Sequence, residues 1–382
     1  MKLPIGFRAS GIKAGIKPSG NPDLALFVSA TPCVWAFAGT QNLAAAASVH
    51  RARDLYAKAG HLQAIVVNAG NANCVTGEQG VQTDARMAAL AAGELNLEPN
   101  AVVTASTGVI GVQLPIEKLE AGLPLARAAL GLELEPAARA IMTTDLVMKI
   151  SSRVLSSGAR VVGVCKGSGM IHPNMATMLA FVLTDAKLEQ AVLREQFVGI
   201  VNRTFNAVTV DGDTSTNDMA VVLANGAAGE TNQQEALEAI ESVMRDLARA
   251  IARDGEGATK LLTIKVTGAP SQTDALAAAK TVAGSSLLKA AIYGNDPNWG
   301  RILAALGRSG VNFEPTKTKV AIQNIQVFDG KPLEFDRKAA SLAMRSDEVV
   351  VVCDLAAGTA VGEAWGCDLT EGYVKINAEY TT

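Results

Sequence analysis

The amino-acid sequence is expected to fold as an α/β protein, an α+β layered sandwich with a second, smaller α/β domain. Three observations carry that expectation. Strand-like apolar runs and helix-like runs alternate along the chain, as they do when helices cover sheets. Leu237, Ile240, Val243, Met244, Leu247 and Ile251 recur at spacings that place them on one face of a helix. Leu262, Ile264 and Val266 alternate with Thr263, Lys265 and Thr267, the period of a half-buried strand.

In order, residues 25–30 read as a short strand and 43–58, rich in alanine, as a helix. Residues 63–67 form a buried strand that stops at the turn-forming run Asn68-Ala69-Gly70-Asn71-Ala72-Asn73. Residues 84–92 are helical, and 101–106 form a strand ending at Thr107-Gly108. A further strand is expected at 161–165 and an amphipathic helix at 187–202. Residues 207–210 and 219–223 are strand-like and flank the polar run 211–218. Thr231 with Gln234 suggests a capping box for the helix that carries Leu237 to Ile251. Helices are then expected at 280–291 and 300–306, and paired strands at 320–328 and 349–355. A soft boundary at 225–235 divides a catalytic sandwich, 1–230, from a C-terminal α/β domain, 231–382. No internal repeat stands out.

Of the 382 residues, 49% are hydrophobic and 19% charged, the balance of a globular chain. Aromatics make up only 4%, so small and β-branched side chains must fill the core at close spacing. A net charge of −3 argues against a nucleic-acid partner. Cys33, Cys74, Cys165, Cys353 and Cys367 are scattered and show no C-x-x-C spacing, which excludes a disulfide framework and a zinc motif and suits a reducing cytoplasm. Pro4, Gly6 and Arg8 interrupt any signal-peptide run, and no stretch reaches membrane-span length. The three histidines, His50, His61 and His172, leave little room for a His-dependent triad or metal site, and no metal is expected.

The chemistry concentrates at Lys166-Gly167-Ser168-Gly169-Met170-Ile171-His172-Pro173-Asn174-Met175-Ala176-Thr177. A small residue meets a threonine in a turn-rich loop just before a second apolar run. This context suits a threonine that cuts its own chain: its hydroxyl attacks the Ala176 carbonyl, and Thr177 becomes a new N-terminus. The freed α-amine, with an ordinary pKa of about 8, then serves as base for the hydroxyl on the same residue. The same threonine read alone is an ordinary β-branched strand residue. Thr107-Gly108, at a strand-to-turn junction, can aim donors at one oxygen as an oxyanion hole requires, or can be a plain turn. Lys166 lies beside glycines without the spacing of a P-loop. His172 lies in the same loop, either solvated or in reach of substrate.

Read together, Ala-Ser-Thr-Gly-Val-Ile-Gly at 105–111, Thr143-Thr144-Asp145, the 166–177 segment, Asp-Gly-Glu-Gly-Ala-Thr-Lys at 254–260, Gly294 to Arg301 and the C-terminal Asn-Ala-Glu-Tyr-Thr-Thr resemble the ornithine acetyltransferase family, which includes the bifunctional glutamate N-acetyltransferases of arginine biosynthesis. The match runs from Gly6 to Thr382 and is weakest at 37–50. The resemblance implies the self-processing fold shared by self-cleaving aminopeptidases and ornithine acetyltransferases. It also implies cleavage between Ala176 and Thr177 into an α chain, 1–176, and a β chain from 177, assembled as two α and two β chains. It assigns Thr177 as nucleophile, Thr107 and Gly108 as oxyanion stabilisers, and Thr143, Lys166, Thr177, Glu256, Asn377 and Thr382 as substrate-binding residues, with Thr144 an alternative to Thr143. The implied reaction moves acetyl from N2-acetylornithine to glutamate through an acetyl-threonine ester. No cofactor is implied; acetyl-CoA is left open as a second donor. The rival reading is a self-cleaving aminopeptidase or amidase of the same fold, which would hydrolyse where the first transfers.

Overall fold

Residues 161–165, 179–183 and 219–224 are almost all apolar, and they become neighbouring strands of a sheet that is covered on both faces. The structure, a computed structural model, describes residues 1–58, 60–172 and 178–379. The first sheet comprises β1 (Phe7–Ile12), β2 (Leu24–Gly39), β3 (Leu62–Asn71), β4 (Val102–Val109), β5 (Lys149–Val154), β6 (Arg160–Lys166), β7 (Leu179–Thr184) and β8 (Met219–Ala224). Its order is β4-β3-β2-β8-β7-β6-β5, with β1 beside β2. β3–β4 and β7–β8 run parallel and the other pairs antiparallel. The expected short strand at 25–30 is the start of β2, 16 residues long, which pairs with β1 and β3 at one end and β8 at the other.

The second sheet comprises β9 (Leu261–Ala269), β10 (Lys319–Ile322), β11 (Ile325–Asp329), β12 (Glu348–Asp354) and β13 (Ala360–Cys367), in the order β11-β10-β12-β9-β13. The helices are α1 (Ala47–Ala57), α2 (Gly77–Leu95), α3 (Ile116–Ala128), α4 (Glu135–Ile141), α5 (Gln190–Arg203), α6 (Gln233–Arg253), α7 (Gln272–Ala283), α8 (Ser286–Tyr293), α9 (Trp299–Gly307), α10 (Arg337–Ala343) and α11 (Glu371–Glu379).

The period of two sorts the central strands between two cores. Ala180 and Val182 of β7 and Ala220 and Val222 of β8 face α5 and α6. Leu179, Phe181, Leu183, Met219 and Val221 face the opposite layer, with α1 and α4. Polar positions have no place on such strands, which is why they read as unbroken apolar runs. α6 presents the stripe Leu237, Ile240, Val243, Met244, Leu247 and Ile251 and touches β5 and β6 of one sheet and β9 and β13 of the other. The expected close spacing is visible here: a Cβ on Gly163 of β6 would lie 2.4 Å from Val243 of α6.

Three local expectations need correction. The cap of α6 is Asn232, whose side chain accepts the Glu235 N–H at 3.1 Å, while Thr231 instead donates its hydroxyl to the Lys187 carbonyl. The helix expected at 280–291 is two helices, α7 and α8, broken at Gly284-Ser285, where the Ser285 hydroxyl caps the second. The strand expected at 207–210 is only a single bridge, Val208 to Trp365. Among the described residues no single helix is long and apolar enough to cross a membrane.

Candidate active site

The end of β4 is held by its neighbours on the parallel ladder. Gly70 of β3 pairs with Gly108, and Gly108 takes φ +131. A Cβ there would sit 2.3 Å from the Gly70 carbonyl carbon, so the position requires glycine twice over. The strand expected to stop at Asn68 instead runs on: Asn68 to Asn71 continue β3 beside β4, and the chain leaves the sheet only after Asn71. Ser106 donates to Asn68 at 2.6 Å, and the Asn217 amide bridges the carbonyls of Ala72 and Ser106 at 2.6 and 2.9 Å. Thr107 is buried, and its hydroxyl oxygen accepts a hydrogen bond from the Lys166 ammonium at 3.3 Å.

Lys166 ends β6, where the chain enters the glycine loop. Gly167 N–H donates to Asp145 at 2.7 Å, and Asp145 also accepts the Thr143 N–H at 2.9 Å. Thr143-Thr144-Asp145 is a turn after α4, organised around a buried carboxylate. Asp145 and Asp254, the residue after α6, both accept from the fully buried Lys149, at 2.7 and 2.5 Å. Burial alone would raise the Asp145 carboxyl; Lys149, then Lys166 and the Gly167 N–H, outweigh it and hold the carboxyl down at about 2. Ser168 donates to the Asp254 carbonyl at 2.6 Å, and the Glu256 N–H donates to the Ser168 carbonyl at 3.0 Å. The two loops lie so close that a Cβ on Gly169 would sit 2.3 Å from the Glu256 carboxyl carbon. Asn377, on α11, donates to the same carboxylate at 2.9 Å.

Thr107, Gly108, Thr143, Thr144, Lys166, Gly169, Met170, Ser215, Glu256 and Asn377 thus line one cleft of about 160 Å³. A small adjoining cavity is walled by Ile171, Met178, Leu179, Asn217 and Asp218 together with Thr107 and Lys166. Ile171 and Met178 flank the segment expected to break. Ala176, Thr177 and Thr382 lie outside the described residues. A separate cavity of about 290 Å³ between Arg203, Arg245, Lys265 and Leu276 contains none of the expected residues.

Sequence reasoning missed Ser215, Asn217, Asp218 and the Lys149–Asp254 pair. The signal available was the polar run 211–218 between two apolar segments. Asp218 is buried with one carboxylate oxygen unpaired, and burial raises its carboxyl well above the usual range. His172 does not reach the cleft: it lines another cavity with Lys280 and Arg308, and its Nδ1 is 2.9 Å from the Thr209 hydroxyl. Burial, then the Lys280 cation, lowers it to about 4, so it is neutral near pH 7. Among the described residues no group of three or more His, Cys, Asp or Glu is placed to hold a metal.

The fold and site define a layered α/β protein in which a lysine, a glutamate and a threonine-glycine strand end line one cleft. The sequence profile of the ArgJ family matches residues 8–382. The arginine biosynthesis bifunctional protein ArgJ of Thermus thermophilus is 58% identical over 384 residues, covering all of both chains. The protein of the same name from Deinococcus radiodurans is 57% identical, over 100% of this chain and 98% of its own. The crystal structure of the ArgJ protein of Bacillus halodurans superposes with a TM-score of 0.51 at 44% identity, covering 52% of this chain and 98% of that one. The chain belongs to the ArgJ family and is an enzyme of arginine biosynthesis, as the motif resemblance implied.

Proposed function

We propose that this enzyme transfers acetyl from N2-acetylornithine to glutamate, with Thr177 as the nucleophile, after cutting its own chain between Ala176 and Thr177. The observation that carries this reading is the cleft itself. Residues from five separate segments, Thr107-Gly108, Thr143, Lys166, Glu256 and Asn377, converge on it. Met178, which follows Thr177 in sequence, walls the adjoining cavity with Thr107 and Lys166.

In the first half-reaction the Thr177 hydroxyl adds to the acetyl carbonyl while its proton passes to the free α-amine. The amide C–N bond then breaks, and ornithine leaves with that proton on its nitrogen. In the second, the amine of glutamate adds to the ester, the C–O bond breaks, and the threonine oxygen regains a proton as N-acetylglutamate departs. Both steps pass through an oxyanion, which Thr107 and Gly108 stabilise. Lys166 meets the substrate carboxylate, Glu256 meets an amine, and Asn377, already bonded to Glu256, fixes that carboxylate. Thr143 lines the same cleft, and Thr382 completes the ligand set.

The fragments remain together as two α and two β chains. The word bifunctional in the relatives' names supports a second activity, for which acetyl-CoA is the donor in this reading; no other cofactor enters it. Five buried, unbonded cysteines support a reducing cytoplasm. The test is a product assay of purified enzyme with N2-acetylornithine, with and without glutamate. Stoichiometric N-acetylglutamate and ornithine are expected. Acetate release independent of glutamate would favour the aminopeptidase or amidase reading instead. Acetyl-CoA as sole donor tests the second activity separately.

A further inference from the structure

We propose that Lys149, Asp145 and Asp254 form a buried ionic clamp whose work is to position the substrate-facing loops, so that all three are positioning residues for the acetyl transfer. The proposal rests on the functional reading above. Its first support is topological. Lys149 begins β5 and is fully buried, and its ammonium contacts two carboxylates from places far apart in the chain, at 2.7 and 2.5 Å. Neither carboxylate is spent on Lys149 alone. Asp145 accepts the Thr143 N–H and, through the oxygen that also meets Lys149, the Gly167 N–H next to Lys166. Asp254 accepts the Leu146 N–H with the oxygen that meets Lys149. The backbone of Asp254 takes the Ser168 hydroxyl, and Ser168 in turn takes the Glu256 N–H.

Thr143 and Glu256 therefore lie two residues from a carboxylate of a single buried ion group, and Lys166 lies next to Gly167, which is hydrogen-bonded to it.

The second support is charge. Two carboxylates and one ammonium leave the clamp one negative charge in excess. The facing groups are Cys165 of β6, whose thiol burial keeps neutral, Lys166, and Lys17 near β1, both of which bias Asp145 toward its charged form. Removing Lys149 would leave two carboxylates buried with their main counter-ion gone, and such a pair relaxes by taking up a proton.

The experiment compares wild type with Lys149→Met and Asp254→Asn. It measures thermal melting, kcat and KM for both half-reactions between pH 6 and 8, and backbone amide exchange at Thr143, Leu146 and Gly167. The expected result for Lys149→Met at pH 8 is a loss of about 100-fold in kcat/KM, the scale of an ångström-sized misplacement. That deficit should shrink by about tenfold at pH 6, where the buried pair, left without its ammonium, takes up a proton more readily. Exchange at the three amides should quicken more than elsewhere in β5 and β6. Lowered melting with kcat/KM within threefold of wild type, or a deficit equal at both pH values, overturns the proposal. If Lys149→Met does not fold, Asp254→Asn decides: it keeps the shape, and a KM increase of tenfold or more with little change in melting supports the clamp, whereas unchanged KM refutes it. Should wild type show no acetyl transfer at all, the functional reading fails, and the exchange measurement still tests the clamp.

Discussion

Thr107→Ala tests the oxyanion assignment most directly. The Lys166 ammonium donates to the Thr107 hydroxyl oxygen at 3.3 Å. An ammonium has only protons to give, so the threonine's own proton must point elsewhere. The Thr107 side chain lines both the main cleft and the cavity beside Met178, so that proton is available to a developing oxyanion. The alanine variant loses this donor, and by analogy with single oxyanion donors turnover should fall by roughly 10²–10³-fold, about 2.7–4 kcal/mol. Folding should suffer far less, since the bond lost is long and a net hydrogen bond contributes about 0.5–1.5 kcal/mol. Steady-state kinetics of acetyl transfer, with intact mass recording how much chain has been cut, separates the two effects. KM should change little. Thr107→Ser should recover most of the turnover. If the cleaved Thr107→Ala enzyme turns over within threefold of wild type, or if KM rises while kcat holds, Thr107 is not an oxyanion donor.

Purified wild type should consist of two chains of nearly equal length, with Thr177 at the start of the second by N-terminal sequencing; a single intact and fully active chain refutes the N-terminal-nucleophile mechanism. Thr177→Ala should abolish both cleavage and transfer, and Thr177→Ser should keep some of each. Glu256→Gln keeps shape and removes charge, so kcat/KM should drop more for N2-acetylornithine than for glutamate, while Lys166→Met should weaken both; equal losses in Glu256→Gln would place the carboxylate on the shared α-amine. Asp84, buried in α2, has its carboxyl raised to about 6 by burial, partly offset by Thr104 and Arg51. A raised carboxyl stabilises the fold only while protonated, and that contribution is lost as pH rises through the folded value. Asp84→Asn should therefore gain stability over wild type, on the order of 3 kcal/mol above pH 6, and the gain should fade below about pH 4. Denaturant melts across that range check it, and a pH-independent difference refutes the reasoning.

How far the sequence reaches depends on how local the cause is. The α6 stripe and the alternation in β9 were legible because burial imposes its period on neighbouring residues. Thr107-Gly108, Lys166 and Glu256 were legible only through the motifs that carry the family resemblance; read alone, each is an ordinary residue beside glycine. What was not legible depends on partners remote in sequence. α7 and α8 read as one helix because Gly284-Ser285 is a mild break, and packing against β9 and β13 decides it. Residues 207–210 have strand composition, but among the described residues only Val208 forms a ladder bridge, to Trp365, while the Val210 N–H turns to the Ile171 carbonyl, and a strand needs one neighbour for its whole length.

The sequence by itself determined a layered α/β chain, its small-residue core, the family and most of the residues that line the cleft. The tertiary structure alone decided that Asp145, Lys149 and Asp254 meet, that Asn217 ties the end of β4 to Ala72 just after β3, and that His172 faces another cavity. A buried lysine on a strand looks like any lysine until its carboxylates arrive, and Asp254 lies 105 residues away. Ion pairs and amide bridges are set by where strands end in space, and periodicity carries no record of that.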